Sequence, residues 1–168
     1  MPPIAELQGL YAEYASALDD RRYADWVGLF TPDCIYRIQP RENHDRGLPL
    51  CTLAFEGQGM LKDRIYGIEQ TLFHSPYYQR HVIGPLRICT ADQAGSGAAT
   101  GSAASPGERY QVQANYSVFR TKANERTEVF IVGRYIDDVV RDGGTLKFAG
   151  KLVVFDSEMI PNSIIYPL

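Results

Sequence analysis

The sequence predicts an α+β fold, in which one curved, cone-shaped antiparallel sheet is packed on three helices from the N-terminal half of the chain. Three observations carry this reading. Apolar residues recur at helical spacing up to about residue 73 and at alternate positions after it. The later segments are long and follow one another directly, as in an antiparallel meander. Strands of that length curl through bulges rather than lie flat. At 168 residues the chain has the size of one domain, spanning 1–168.

Ile4, Leu7, Tyr11, Tyr14 and Leu18 make the stripe of a first amphipathic helix. Asp19 and Asp20 end it, and one of them is expected to cap the second helix. Tyr23, Trp26, Val27 and Phe30 share a face of that short helix. "TPDC" reads as a turn and "CIYRIQ" as a strand. Residues 40–50 are polar, with Gly47 and Pro49, and read as a loop; "TLAFEG" adds a short strand. The third helix runs from Gly59 to Phe73, with Leu61, Ile65, Ile68 and Leu72 inward and Lys62, Asp63, Arg64 and Glu69 on the wet face. Pro76 stops it.

Strands dominate from there. The first spans Gln79 to about Ala91. Residues 92–107, rich in Gly, Ala and Ser, carry too little apolar surface to order firmly and read as a flexible hairpin loop. In "RYQVQANYSVFR", Tyr110, Val112, Ala114, Tyr116 and Val118 share one face. "TEVFIVGRYIDDVV" is long, with Gly133 as a candidate bulge. "DGG" turns the chain into "TLKFAGKLVVFDS". The tail "EMIPNSIIYPL" is apolar and stiffened by two prolines. The concave face of such a cone is expected to leave a ligand pocket between sheet and helices.

The formal charge of −3 and the absence of a long basic cluster give no footprint for nucleic acid. No apolar run reaches the roughly 20 residues that span a bilayer. "MPPIAELQGLYAEY" lacks the basic and apolar regions of a secretory signal, so a cytoplasmic protein is expected. Cys34, Cys51 and Cys89 are odd in number and widely spaced, which speaks against disulfides and against a zinc site. The histidines are His44 in a polar loop, His74 at a helix end and His81 at a strand start, without local metal-ligand spacing. His81 has two readings. With Asp33, Tyr36 or Tyr116 it could serve as a general acid or base. Alternatively it bonds a neighbouring group and pins strand to helix.

The segments "DDRRYADWVGLFTPDCIYRI", "PRENHDRGLP", "GMLKDRIYGI", "YYQRHVIGPLRI", "TEVFIVGRYID" and "DSEMIPNSIIYPL" are specific in their order and spacing. Together they resemble the small (β) subunit of Rieske-type aromatic-ring-hydroxylating oxygenases, a nuclear-transport-factor-2-like fold. The likeness covers nearly the whole chain outside the Gly/Ala/Ser loop. It is greatest to enzymes of monocyclic aromatic acids such as salicylate, anthranilate and terephthalate. The resemblance implies a non-catalytic, structural subunit in an α3β3 assembly with a large (α) subunit. That partner would hold a Rieske [2Fe–2S] cluster and a mononuclear Fe(II). Electrons would come from NAD(P)H through a reductase, usually with a ferredoxin. The large subunit's cluster pattern, CxH followed by CxxH, is absent here: Cys34, Cys51 and Cys89 are followed by Ile-Tyr, Thr-Leu and Thr-Ala. The resemblance therefore implies no catalytic, cofactor-binding or metal residue in this chain, and it makes the Arg80–His81 pair structural. The apolar tail (Ile160, Ile164, Ile165, Tyr166, Leu168) is expected to be buried, either on its own sheet or, as the resemblance favours, at a subunit boundary; the "PRENHDRG" loop is a solvated surface by default, and the resemblance offers contact with the large subunit as the other reading. The other function class is a stand-alone acid–base enzyme of the same cone fold, a dehydratase or isomerase using His81.

Overall fold

The computed structural model describes residues 3–89, 108–159 and 164–168. Helix α1 (Ile4–Asp19) buries Leu7, Leu10, Tyr11, Tyr14, Ala17 and Leu18, the stripe its spacing predicts, while Ile4 stays exposed. The turn after it places Arg21 at φ 58°, and the Arg22 N–H returns to the Ala17 carbonyl at 2.8 Å. Helix α2 (Tyr23–Gly28) has Arg22 at its N-cap, with no side-chain cap. Neither Asp19 nor Asp20 caps it, contrary to the expectation from their position between the helices.

Strand β1 (Phe30–Pro40) absorbs the predicted turn "TPDC", because the chain bulges between Phe30 and Ile35 instead of reversing. Residues 40–50 are not all loop: α3 (Arg41–Asp45) forms one turn there. Strand β2 (Leu53–Glu56) leads into α4 (Gly57–Tyr66), and a π-helical turn follows at Gly67–Thr71. Leu61, Ile65 and Ile68 are buried as expected, but Leu72 is exposed. The Leu72 N–H donates to the Gly67 carbonyl at 2.7 Å; this wider turn inserts a residue and rotates Leu72 out of the stripe.

Strands β3 (Tyr77–Ile83), β4 (Arg87–Cys89), β5 (Arg109–Lys122), β6 (Glu128–Asp142) and β7 (Thr145–Phe155) complete one sheet. The predicted strand from Gln79 to Ala91 is thus two, interrupted at Gly84–Leu86, and both pair with β5. The order is β2-β1-β7-β6-β5-β3, with β4 also on β5. All neighbours are antiparallel except β1 and β7, which run parallel, so the sheet is mixed rather than purely antiparallel. Gly143 and Gly144, at φ 57° and 88°, make the turn between β6 and β7. The predicted flexible loop at 92–107 lies outside the described residues. Among the described residues no helix is long and apolar enough to cross a membrane.

The sheet curls through three register shifts: Phe30/Ile35, Val118/Phe119 and Asp138/Val139. Gly133 is not one of them. It pairs in regular register with Tyr116 and Phe155, and a Cβ there would stand 1.9 Å from the Val154 carbonyl oxygen. The residue is glycine because neighbouring backbone leaves no room for a side chain. Gly133→Ala is expected to cost roughly 3 kcal/mol, the upper range for overpacking, since backbone must move to admit the methyl group. A urea midpoint within error of wild type would contradict this.

The concave face holds an aromatic core. Tyr14, Trp26, Phe30, Tyr36, Tyr135 and Phe148 are fully buried, with ring centroids such as Trp26–Tyr36 at 5.6 Å and Tyr14–Phe148 at 5.5 Å, edge to face. On the convex face Ile35, Ile136, Leu152 and Val154 form a second cluster. The segment around α3 lies over that side: Gln39 Nε2 donates to the Leu48 carbonyl at 2.7 Å, and Arg134 meets Asp45 at 3.4 Å.

Candidate functional site

The interior of the cone carries the polar groups with chemical potential. His81 lies on the inward face of β3, its side chain fully buried. Its Nδ1 lies 2.6 Å from Asp19 Oδ1, and its backbone N–H donates to the same carboxylate at 3.0 and 3.2 Å. Asp19, the last residue of α1, thereby ties the helix to the strand. Arg80 approaches the carboxylate from outside at 3.8 Å. His81 Nε2 is buried without a hydrogen-bond partner among the described residues.

The predicted companions of His81 are placed differently. Asp33 is exposed on the β1 bulge and faces solvent, so it is not the carboxylate beside His81; Asp19 is. Tyr36 lies within the cone, but its hydroxyl bonds Leu168 at 3.0 Å and lies 3.4 Å from Tyr14 Oη. Tyr116 stacks on Tyr135 at 4.3 Å, both hydroxyls buried and unpartnered among the described residues. Burial raises the pKa of all these tyrosines, so their hydroxyls stay protonated and neutral.

A second cluster was not foreseen. Lys151 and Asp137 face each other across β7 and β6, both fully buried, 2.8 Å apart. Tyr11 donates its hydroxyl to the same Asp137 oxygen. The ammonium sits among the rings of Tyr11, Tyr14, Tyr135 and Phe148, at 3.7 Å from the Tyr135 centroid and 4.3 Å from that of Tyr14. Burial lowers Lys151 to about 8 despite the carboxylate, and raises Asp137 despite the ammonium.

The tail closes the cone. Ile164, Tyr166 and Leu168 are buried in the core of this same chain. Tyr14 and Tyr36 bond Leu168, and Arg64 donates to the carbonyls of Ile164 at 3.1 Å and Ile165 at 2.6 Å. Tyr166 packs on Tyr77 at 4.6 Å and bonds His74 Nε2 at 2.8 Å. Two expectations are corrected here. The apolar side chains of the described tail point into the protein's own core rather than to a subunit boundary, because the aromatic cone offers them a lining. Arg64 is half-buried rather than part of a wet helix face, because the tail's carbonyls need donors. Among the described residues, aromatic side chains and the tail fill the centre of the cone, and the expected pocket between helix and sheet is present at its side as a cavity of about 460 Å³ between α1 (Gln8, Tyr11, Ala12, Ala15) and residues 83–86.

The donor atoms do not suit an iron–sulfur cluster or a mononuclear iron. His44 lies on α3, His74 in the connection before β3 and His81 on β3; His74 and His81 bond Tyr166 and Asp19. Cys34, Cys51 and Cys89 are free thiols. No three His, Cys, Asp or Glu side chains among the described residues are grouped to hold a metal ion.

The SnoaL-like domain family matches residues 3–150. The anthranilate 1,2-dioxygenase small subunit of Burkholderia cepacia is 30% identical over 163 residues, covering 97% of this chain and 92% of that one. The chain belongs to the β subunits of aromatic-ring-hydroxylating dioxygenases. A further relative in this dioxygenase β-subunit family is subunit β2 of the terminal oxygenase component of terephthalate 1,2-dioxygenase from a Comamonas species, 28% identical with 97% of each chain covered. A crystal structure from Novosphingobium aromaticivorans, assigned to the β subunit of an aromatic-ring-hydroxylating dioxygenase, superposes with a TM-score of 0.80. It is 27% identical, with 98% and 96% of the two chains covered. As a dioxygenase β subunit this chain implies an α partner, and its SnoaL-like fold is the α+β cone of helices on a curved sheet.

Within this β subunit the Asp19–His81 contact fastens α1 to β3. Asp19→Ala and His81→Ala are each expected to cost about 1–3 kcal/mol, because each leaves a buried polar partner unpaired. Chemical denaturation measures this, and a pair of wild-type midpoints would contradict it.

Proposed function

We propose that this chain is the non-catalytic, structural β subunit of a Rieske-type oxygenase that hydroxylates a monocyclic aromatic carboxylic acid of the salicylate or anthranilate kind. The observation that carries the reading is end-to-end likeness to the anthranilate dioxygenase small subunit. On this reading three α and three β subunits assemble in the cytoplasm. The α subunits hold the Rieske cluster and the mononuclear iron, which supply electron transfer and O2 activation. Electrons arrive from NAD(P)H through a reductase, usually with a ferredoxin. The β subunit holds the α subunits at fixed separations, on which the rate of electron passage between them depends.

Two features of the molecule support the reading. The cone is occupied by its own side chains, and its histidines and cysteines do not suit iron. Leu50, Phe73 and Tyr78 are large apolar side chains exposed on the described surface, of the kind a partner subunit covers. The Asp19–His81 pair favours a second reading, a stand-alone acid–base enzyme, but the filled interior weighs against it.

Co-expression with a large subunit that carries the CxH and CxxH cluster pattern tests the proposal, with O2 uptake followed on anthranilate, salicylate, terephthalate and benzoate. Turnover is expected only when both chains are present, with iron in the large subunit and well under one iron per chain in this one purified alone. His81→Ala should leave turnover per assembled iron centre nearly unchanged. Product formed by this chain alone, or stoichiometric iron kept after chelation, would overturn the subunit reading.

A further inference from the structure

The convex side of the sheet carries a small cavity outside the cone. It opens where β3 and β4 part at Gly84–Leu86, beside Asn115 of β5, whose carbonyl receives the Gly84 N–H at 2.8 Å. Its volume is about 280 Å³, and Arg87 of β4, Gln113 and Asn115 of β5 and Arg134 of β6 line it. The register brings them together, because Arg87 pairs with Gln113 and Arg134 with Asn115. The two arginines thus flank β5 from either side, and no carboxylate among the described residues lines the cavity. Two guanidinium groups and two carboxamides are a donor set for an anion.

A second observation points the same way. Arg134 Nε is buried without a hydrogen-bond partner among the described residues, while a terminal nitrogen of the same group meets Asp45 at 3.4 Å. Buried N–H groups are nearly always bonded, so this donor is set for an acceptor that the described residues do not supply. The neighbouring charges fix the class of that acceptor. Asp45 also meets Arg41 at 3.2 Å, and Arg41 meets Asp156 at 3.5 Å, so two carboxylates stand against Arg41 and Arg134. Asp138, further along this face, is held by Arg109 and Gln111. Burial, and then the charge of Arg134, lowers the pKa of His44, which stays neutral at neutral pH. The charge of Arg87 is left over, which suits one negative charge rather than two.

We propose that Arg87, Gln113, Asn115 and Arg134 form a binding site for a short monoanionic carboxylate on the convex face of the sheet. The planar fork of a guanidinium matches the two oxygens of a carboxylate, and the carboxamides can donate to the same oxygens. The rest of the lining, Pro85 and Ala114, offers no ring on which an aromatic acid would stack. The ligand is therefore aliphatic. It is either a free acid or the carboxylate of an acidic side chain on the partner subunit, and only the second source rests on the subunit reading.

The test titrates the full chain with sodium acetate at constant ionic strength, with sodium chloride as the balance, and follows the arginine Nε–H signals by NMR. The Arg134 Nε–H signal should shift saturably with acetate. Arg87→Gln should weaken acetate binding roughly tenfold, as expected for a lost hydrogen bond to a charged group, and Arg134→Gln, followed by calorimetry, should do the same. Lys62→Gln, which removes an exposed positive charge on α4, should leave the affinity at the wild-type value. Phosphate, largely a dianion above neutrality, should bind no more tightly than acetate. A shift that grows linearly with acetate or that chloride reproduces overturns the proposal. So does tighter binding of phosphate, or an equal loss of affinity in Lys62→Gln. Sizing of the complex co-expressed with the large subunit separates the two sources: saturating acetate loosens the complex if the partner's carboxylate uses the site, and leaves it intact if a free acid does.

Discussion

A chain lacking residues 164–168 is expected to lose its native fold. Ile164, Tyr166 and Leu168 are buried, and burying each such side chain stabilises by about 1.5–3 kcal/mol. Together that is on the order of 5–9 kcal/mol, against the roughly 5–15 kcal/mol that holds a whole domain. Polar losses add to it. Arg64 would keep a half-buried guanidinium without the carbonyls of Ile164 and Ile165, and Tyr14 and Tyr36 would lose their shared acceptor. Tyr23 and Tyr77, which pack on Tyr166, would be uncovered. The expected product keeps much of its secondary structure, loses near-ultraviolet circular dichroism and binds hydrophobic dyes. A shortened chain that unfolds cooperatively at the full-length midpoint would sink this account and return the tail to a subunit boundary.

The helices were legible because burial on one face leaves a period. Leu7, Tyr11, Tyr14 and Leu18 announce α1, and Leu61, Ile65 and Ile68 announce α4. Alternation announced β5, whose Val112, Ala114, Tyr116 and Val118 all face inward. What failed depended on geometry that local pattern does not encode. A π-helical turn shifts the period by one residue, and nothing in "GIEQTLF" signals it. "TPDC" has turn composition but sits between strand residues, and pairing of its flanks, Phe30 and Ile35, with β7 carries the chain through it as a bulge. Gly133 could mark a bulge or a close backbone approach, and only the position of Val154 decides. In the site, His81 was found because histidines are few, yet its carboxylate was misassigned. Asp19 looked like a helix breaker, and its distance of 62 residues from His81 hides the contact. The Lys151–Asp137 pair did leave a signal. Asp137 shares the parity of inward-facing Tyr135 and Val139, and Lys151 that of Val153 and Phe155, so two charges stood at core positions of adjacent strands.

That buried pair leads to the second large effect. Lys151→Met is expected to destabilise the fold by about 3–5 kcal/mol, because it leaves the Asp137 carboxylate buried beside a single donor, Tyr11. Replacing the whole cluster, Tyr11→Phe with Asp137→Leu and Lys151→Met, should restore most of that loss or exceed wild type. The reason is that desolvation outweighs attraction at both ends of the pair: burial lowers Lys151 to about 8 and raises Asp137. These directions fix the sign with pH. Between about 8 and the ordinary lysine value, the unfolded chain binds more protons at Lys151 than the native one, so this group's contribution to stability rises with pH there. Between the ordinary aspartate value and its raised native value, the native chain binds more protons at Asp137, so stability falls as pH rises. The penalty is therefore complete between the two windows, just below the Lys151 value of about 8. The stability of wild type relative to the triple variant should be lowest there and climb from about pH 8 toward 10, below which exposed tyrosines stay protonated. Urea titrations of both proteins at successive pH values measure this difference. A flat difference across that range, or a triple variant as unstable as Lys151→Met alone, would show instead that the aromatic cage and the carboxylate together outweigh the cost of burying the charge.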